Sequence, residues 1–273
     1  MIDKLTRSWS LVKASASVLQ ADKELMIFPV LSGLASLITG VVFFLPLTFI
    51  GGQGFEIFGY IALFLFYFAS SFVVVFFNSA LVGAALIRLD GGDPTVADGL
   101  RIARERLPLI LQWSLLAATV GMLMRGLRER SGAVGTLVMN LIGVAWNVAT
   151  FLIVPVLVTR DLGPIEALKE SASLLKKTWG EQIAGNAGIG LVFWIVGAVY
   201  SIIAIPAVVI AFAGGSPWLG VPVLVAVALG YGLLVLVSAT LSGIYSAALY
   251  RYATAGDTGS IDRRLLETAF ERR

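Results

Sequence analysis

Few side chains in this 273-residue chain can do chemistry, and their types narrow the options before any fold is considered. The chain contains no histidine and no cysteine. That removes imidazole and thiolate metal sites, Ser-His-Asp and Cys-His nucleophiles, disulfides and histidine-based pH sensing. The carboxylates Glu24, Glu56 and Glu181 stand at the edges of long apolar runs and not inside them, so the mid-depth acid of a proton relay is missing. Within the runs there remain Ser70, Ser71, Asn78, Gln112, Asn140, Asn147 and Asn186. Their plainer role is hydrogen bonding between helices, worth about 0.6 kcal/mol on average. Their sharper role is contact with a solute in a pore or pocket, where Pro29, Pro155 and Pro206 would open the helices. Arg125, Arg128 and Arg130 are a second candidate group. Repeated around a symmetric oligomer they would form a cationic ring that attracts anions. The plainer alternative is a solvated loop with Glu129 as local partner. No phosphate loop, metal constellation or nucleic-acid motif occurs, so neither a cofactor nor a nucleic-acid partner is expected.

The elements that must position these groups follow from composition. The chain is 58% hydrophobic and 14% charged, with a mean hydropathy of +0.91. A soluble domain carries about 25% charge. The expected fold class is therefore all-α: a polytopic helical membrane protein of six transmembrane helices forming a single membrane domain over 1–273. The spans are predicted at about 25–50, 55–87, 107–124, 133–159, 182–213 and 219–250. The third is barely long enough to cross. The aromatics Phe64, Phe66, Tyr67, Phe68, Phe72, Phe76 and Phe77 fall on almost every side of the second, which reads as lipid exposure plus packing. The sixth carries Ala239, Gly243 and Ala247 at four-residue spacing, a small-residue packing seam.

Three amphipathic stretches precede pairs of spans. In Arg160–Asn186, Gly163 fits an N-cap, Pro164 the first helical position and Glu166 the positive end of the helix dipole. Ile165, Leu168, Ala172, Leu175 and Trp179 make one stripe, flanked by Lys169 and Lys176, while Glu166, Glu170, Ser173 and Lys177 lie opposite. Near residue 95, Thr95 and Asp98 resemble a capping box, and Val96, Leu100, Ala103 and Leu107 share a face beside Arg101, Arg104 and Arg106. At 2–19, Ile2, Leu5, Trp9, Val12, Ala16 and Leu19 align, without the compact apolar core and cleavage site of a signal peptide. All three are expected to lie in the membrane plane. Their cations, including Lys13, Arg101, Arg104, Lys169, Lys176 and Lys177, would meet anionic headgroups.

The order of in-plane helix and two spans recurs three times, predicting parallel repeats at 1–87, 88–159 and 160–252, followed by a tail at 253–273. Ala84-Ala85-Leu86-Ile87-Arg88 and Ala247-Ala248-Leu249-Tyr250-Arg251 mark corresponding exits. Almost every Lys and Arg falls on the side of the two termini and of the loops near 90 and 165. Only Arg125, Arg128 and Arg130 lie opposite, so both termini are expected to be cytoplasmic, in the cell inner membrane.

The stretches Arg7–Ser15, Asp22–Gly33, Gly163–Ser171, Lys176–Glu181, Ala248–Asp257 and Ile261–Phe270 resemble a prokaryotic family of six-span membrane proteins of unknown function. More distantly they resemble the membrane-anchoring domains beside some glycerophosphodiester phosphodiesterases. The resemblance implies no activity and no functional residues, and the phosphodiesterase chemistry does not carry over to a chain without histidine. The expected function is that of a non-enzymatic membrane protein with an organising or accessory role. It would self-associate as a homo-oligomer and bind anionic lipid at its cytoplasmic face. The alternative is a channel or passive transporter for a small solute or anion. A lipid-headgroup enzyme using Asp22, Glu24 or Glu181 comes third.

Overall fold

The computed structural model describes residues 12–13, 15–46, 55–179, 189–213 and 217–256. The predicted stripe members Ile2, Leu5 and Trp9, the turns at 51–54 and 214–216, Glu181, Asn186 and the tail residues 257–273 lie outside the described residues. A helical stretch at 15–21 and a 3-10 turn, Lys23–Met26, lead into nine α-helices among the described residues. These are α1 (Ile27–Phe44), α2 (Phe55–Leu89), α3 (Val96–Glu105), α4 (Leu107–Glu129), α5 (Ala133–Ala149), α6 (Ile153–Thr159), α7 (Pro164–Trp179), α8 (Ile189–Ala213) and α9 (Pro217–Ala255). Six stretches are long and apolar enough to cross a membrane: Lys23–Phe44, Gly59–Leu89, Leu107–Glu129, Val134–Thr159, Val192–Ala213 and Trp218–Ala255. The all-helical, multi-pass reading of the composition holds.

Helix α2 is the axis of the bundle, with α1, α3, α4, α6 and α9 packed on it. Its 35 residues span about 52 Å at 1.5 Å each, well beyond the ~30 Å hydrocarbon layer. Only one end of the bundle is a sealed core. Leu81, Val82 and Ala85 of α2, Ile110 of α4, Val156 and Leu157 of α6, and Ile244 and Leu249 of α9 are buried there. Toward the other end Leu37 of α1, Leu137 of α5 and Leu229 of α9 are more than 60% exposed. Apolar surface on that scale requires lipid to cover it.

Two span predictions need correction. The third span is not marginal, because α4 is 23 residues long and continues through Glu129. Arg125 and Arg128 therefore belong to its last turns and not to a loop. The fourth span is not continuous, because it breaks at 150–152 between α5 and α6. Pro155 is the physical reason: it lacks an N–H and its ring crowds the carbonyl four residues earlier, so the helix restarts just upstream with Pro155 in its first turn. Pro29 sits in the first turn of α1, and Pro206 lies inside an unbroken α8. Of the three prolines singled out, only Pro155 opens a helix.

The amphipathic helices pack on protein more tightly than a lipid-floating element would. In α3 the capping box forms as predicted: the Thr95 hydroxyl accepts from Asp98 N–H, and the Asp98 carboxylate accepts from Thr95 N–H at 3.1 Å. Ala103 is buried, and Val96 and Leu100 pack against the core, so the predicted face is turned to protein. The closest approach, however, is made by two glycines. A Cβ on Gly99 would stand 2.7 Å from the Ala80 carbonyl of α2, and one on Gly83 would stand 2.8 Å from Ile102 Cγ2 of α3. In α7 the buried stripe is Ala167, Ser171, Leu174 and Leu175, whereas Ile165 is 55% exposed. The predicted stripe was centred one position too far toward the outside. Helix α7 contacts α4, α5, α6 and α9, so its small residues face protein where the prediction put larger residues facing lipid. The side chain of Trp179 lies outside the described residues.

Candidate functional site

The described polar candidates lie on three different helices, α2, α4 and α5. Asn78 is half-buried on α2, with its Oδ1 3.3 Å from the place a Cβ would take on Gly243 of α9. It belongs to the contact between these two helices. Gly243 and Ala247 are the predicted seam, and α2 fills it: a Gly243 Cβ would stand 2.4 Å from Leu81 Cδ2. Ala239, one turn earlier, is exposed. The seam is thus occupied within the chain and is no surface for self-association. Gln112 of α4 and Asn140 and Asn147 of α5 are exposed.

At the far end of α4, Arg125, Arg128 and Arg130 are exposed. Arg125 Nε donates to Glu129 at 2.8 Å and its Nη1 to the Tyr67 hydroxyl of α2 at 3.3 Å. The expected local partnership with Glu129 is present, and the Tyr67 contact was not legible in the sequence. Exposed pairs of this kind contribute little to stability.

The richest polar arrangement ties together the helix ends at the sealed pole. Arg88, closing α2, donates to Gly92 O and Asp93 at 3.2 Å and to Ala21 O at 3.4 Å. Arg251, near the end of α9, pairs with Asp90. Arg106 donates to the Val158 carbonyl at 3.1 Å. The Tyr250 hydroxyl accepts from Thr159 at 2.7 Å and from Arg160 at 3.3 Å. Arg160 also approaches Glu170 at 3.6 Å. The lattice joins the exits of the second, fourth and sixth spans, and Gly91, with φ at +86°, supplies the left-handed turn between Arg88 and Asp93. Asp22 is buried beside it, and its Oδ2 has no hydrogen-bond partner among the described residues. Burial pushes its carboxyl above its ordinary value, and nearby Arg88 opposes the shift. On the rim, hydrogen bonds from Thr95 and Arg101 hold the Asp98 carboxyl down at about 2.

Two features escaped the sequence reading. Ser171 of α7 is fully buried at the break in the fourth span, where it donates to Ala149 O at 2.7 Å and accepts from Leu152 N–H at 3.1 Å. It supplies the partners the helix loses by breaking. Between α8 and α9, Tyr200 donates to Val227 O at 3.2 Å, Ser201 meets the Tyr231 hydroxyl, and the two tyrosine rings cross edge to face at 4.8 Å. Both clusters satisfy their own groups and leave no catalytic constellation. No group of three acidic side chains close enough to hold a metal occurs among the described residues. The proposed headgroup cations Lys13, Arg101, Arg104, Lys169, Lys176 and Lys177 are all exposed, and Arg101 is engaged by Asp98 and Glu105.

No curated protein and no solved structure matches the chain. Nothing in the comparisons supports the link to phosphodiesterase-associated membrane domains. A family model described as a family of unknown function (DUF6159) matches residues 57–260. The match takes in the axial helix, the pole where Arg88, Arg106, Arg160 and Tyr250 interlock, and every span after the first, and the chain belongs to that family.

Proposed function

We propose that this chain is a non-enzymatic organising protein of the cytoplasmic membrane, built from three parallel repeats, that assembles with copies of itself. One observation carries the choice over a conduit: the pole where the repeats meet is closed by apolar side chains, including Leu81, Ile110, Leu157 and Ile244. The amides at membrane depth either join helices, like Asn78, or face away from the bundle, like Asn140 and Asn147. Neither group lines a path through one chain.

The repeat reading gains support from a motif at the elbows. Lys13-Ala14-Ser15-Ala16-Ser17-Val18-Leu19 matches Lys169-Glu170-Ser171-Ala172-Ser173-Leu174-Leu175, with Arg101-Ile102-Ala103 at the middle elbow. The three equivalent small residues Ser15, Ala103 and Ser171 are each no more than 1% exposed. Glu166 turns its carboxylate back toward Gly163, as Asp98 does toward Thr95. The basic residues of the sealed pole support a cytoplasmic location for it, with Lys169, Lys176 and Lys177 available to anionic headgroups.

The test is solute and ion flux in proteoliposomes holding the purified chain. This reading expects leak no greater than in empty vesicles. Saturable, selective flux would overturn it. Such flux, lost with Arg125→Gln, Arg128→Gln and Arg130→Gln together, would install the anion channel instead.

A further inference from the structure

Helix α5 carries an unusual outer face. Thr136, Asn140, Gly143 and Asn147, followed by Thr150 just past the helix end, recur at alternating spacings of four and three, the repeat of a left-handed helix–helix seam. On this flank Asn140 and Asn147 are exposed, and Thr136, Gly143 and Thr150 are half-buried, among the described residues. Met139 is buried and Trp146 stacks on Trp113 of α4 at 5.9 Å, so the contact with α4 is made by the adjacent face. Asn140 and Asn147 are exposed, and neither side chain has a hydrogen-bond partner among the described residues. Nothing lies within 4 Å of where a Cβ would stand on Gly143, whereas the seam glycine Gly243 is filled by Leu81. The two threonines need no outside partner, because Thr136 donates to Gly132 O and Thr150 to Trp146 O. The amide of Asn147 does need one. Asn147 lies near the middle of the span Val134–Thr159, about 20 Å from its start and 18 Å from its end at 1.5 Å per residue. At that depth acyl chains offer neither donor nor acceptor.

We propose that this face of α5 is a homodimer interface, occupied by the same face of a second copy. The inference rests on the self-assembly reading above and adds the surface that performs it. A primary amide is donor and acceptor together and is therefore complementary to itself. Two copies inserted with the same topology are related by a two-fold axis along the membrane normal. That axis sets their α5 helices parallel and in register, with Asn140 facing Asn140 and Asn147 facing Asn147. Gly143 between them lets the backbones approach. A foreign helix would need matching amides at the same seven-residue spacing. The open glycine face of α1, at Gly33 and Gly40, carries no side-chain amide and lacks this complementarity.

Single cysteines in the full chain, reconstituted in lipid, test the proposal directly, since the chain has none of its own. Oxidation is expected to yield covalent dimers from positions 136, 140, 143 and 147, and none from Leu137, Leu141 and Val144 or from Leu37 of α1. Asn140→Leu with Asn147→Leu is expected to weaken dimerisation roughly tenfold and leave thermal unfolding of the monomer unchanged. Dimers that cross-link only through Leu37 or the 137/141/144 face would overturn the interface and leave self-assembly standing. A monomer in nanodiscs by native mass spectrometry, with or without a bound lipid or another protein, would overturn both.

Discussion

A single hydroxyl holds the fourth span together. Ser171 gives Ala149 O a donor and Leu152 N–H an acceptor at a break that Pro155 imposes. Ser171→Ala leaves both groups buried and unpaired, and we expect it to cost about 2 kcal/mol, read by reversible unfolding in mixed micelles. Pro155→Ala removes the cause of the break, and in that background the Ser171→Ala penalty is expected to shrink. Gly243 is the opposite case, a position defined by what it lacks. Gly243→Ala puts a methyl 2.4 Å from Leu81 Cδ2 and should destabilise the fold by about 1–3 kcal/mol, with no effect on dimer cross-linking through α5. The spacing of Gly243 and Ala247 was legible as a seam, but its occupant was not. Small residues read alike whether the neighbour is lipid, a second copy or α2. Ser171 was assigned to neither face in the sequence reading, although the Lys-x-Ser-Ala-Ser match between its elbow and the first was present to be found.

At the scale of elements, α3 shows how a local signal can be read fully and its packing missed. Thr95 and Asp98 announce the helix start, and the reciprocal bonds are there. Asp98 is held at about 2, below its ordinary 3.8, because Thr95 and Arg101 bond its charged form. A carboxyl depressed in the folded state lends stability above the ordinary value and loses it as pH falls through the depressed one. The first turn of α3 is therefore expected to keep its exchange protection at pH 5 and to lose it between about pH 4 and 2. Asp98→Asn should remove that pH dependence, as followed by amide exchange. The reciprocal approach of Gly83 and Gly99 was not legible, because hydropathy weights glycine weakly and says nothing of the helix it meets. The stripe of α7 was misplaced for the same reason. Pattern reasoning favours large apolar residues such as Ile165, while close packing selects Ala167 and Ser171.

For the molecule as a whole, sidedness is the testable frame. Cysteines introduced at Asp93 or Lys177 are expected to react with a membrane-impermeant thiol reagent only in inverted vesicles, and one at Arg128 only in intact cells. Labelling of all three from one side would refute the even-span repeat. The six spans were legible because lipid demands continuous apolar runs, and the break at 150–152 was foreshadowed only by Pro155. The distribution of packing was not legible: the helices lock together where Arg88, Arg106, Arg160 and Arg251 reach across, and Leu37, Leu137 and Leu229 are left exposed toward the other end. Such a molecule is expected to behave as a cantilever set, clamped most firmly at one membrane face. Thinning or thickening the bilayer should tilt the free lengths of α2 and α9, 35 and 39 residues long, without prising the clamp open. The strain of hydrophobic mismatch is then expected to fall on the leaflet opposite the clamp, so a change of acyl length there would alter the spacing of the helix tips while the basic face keeps its shape.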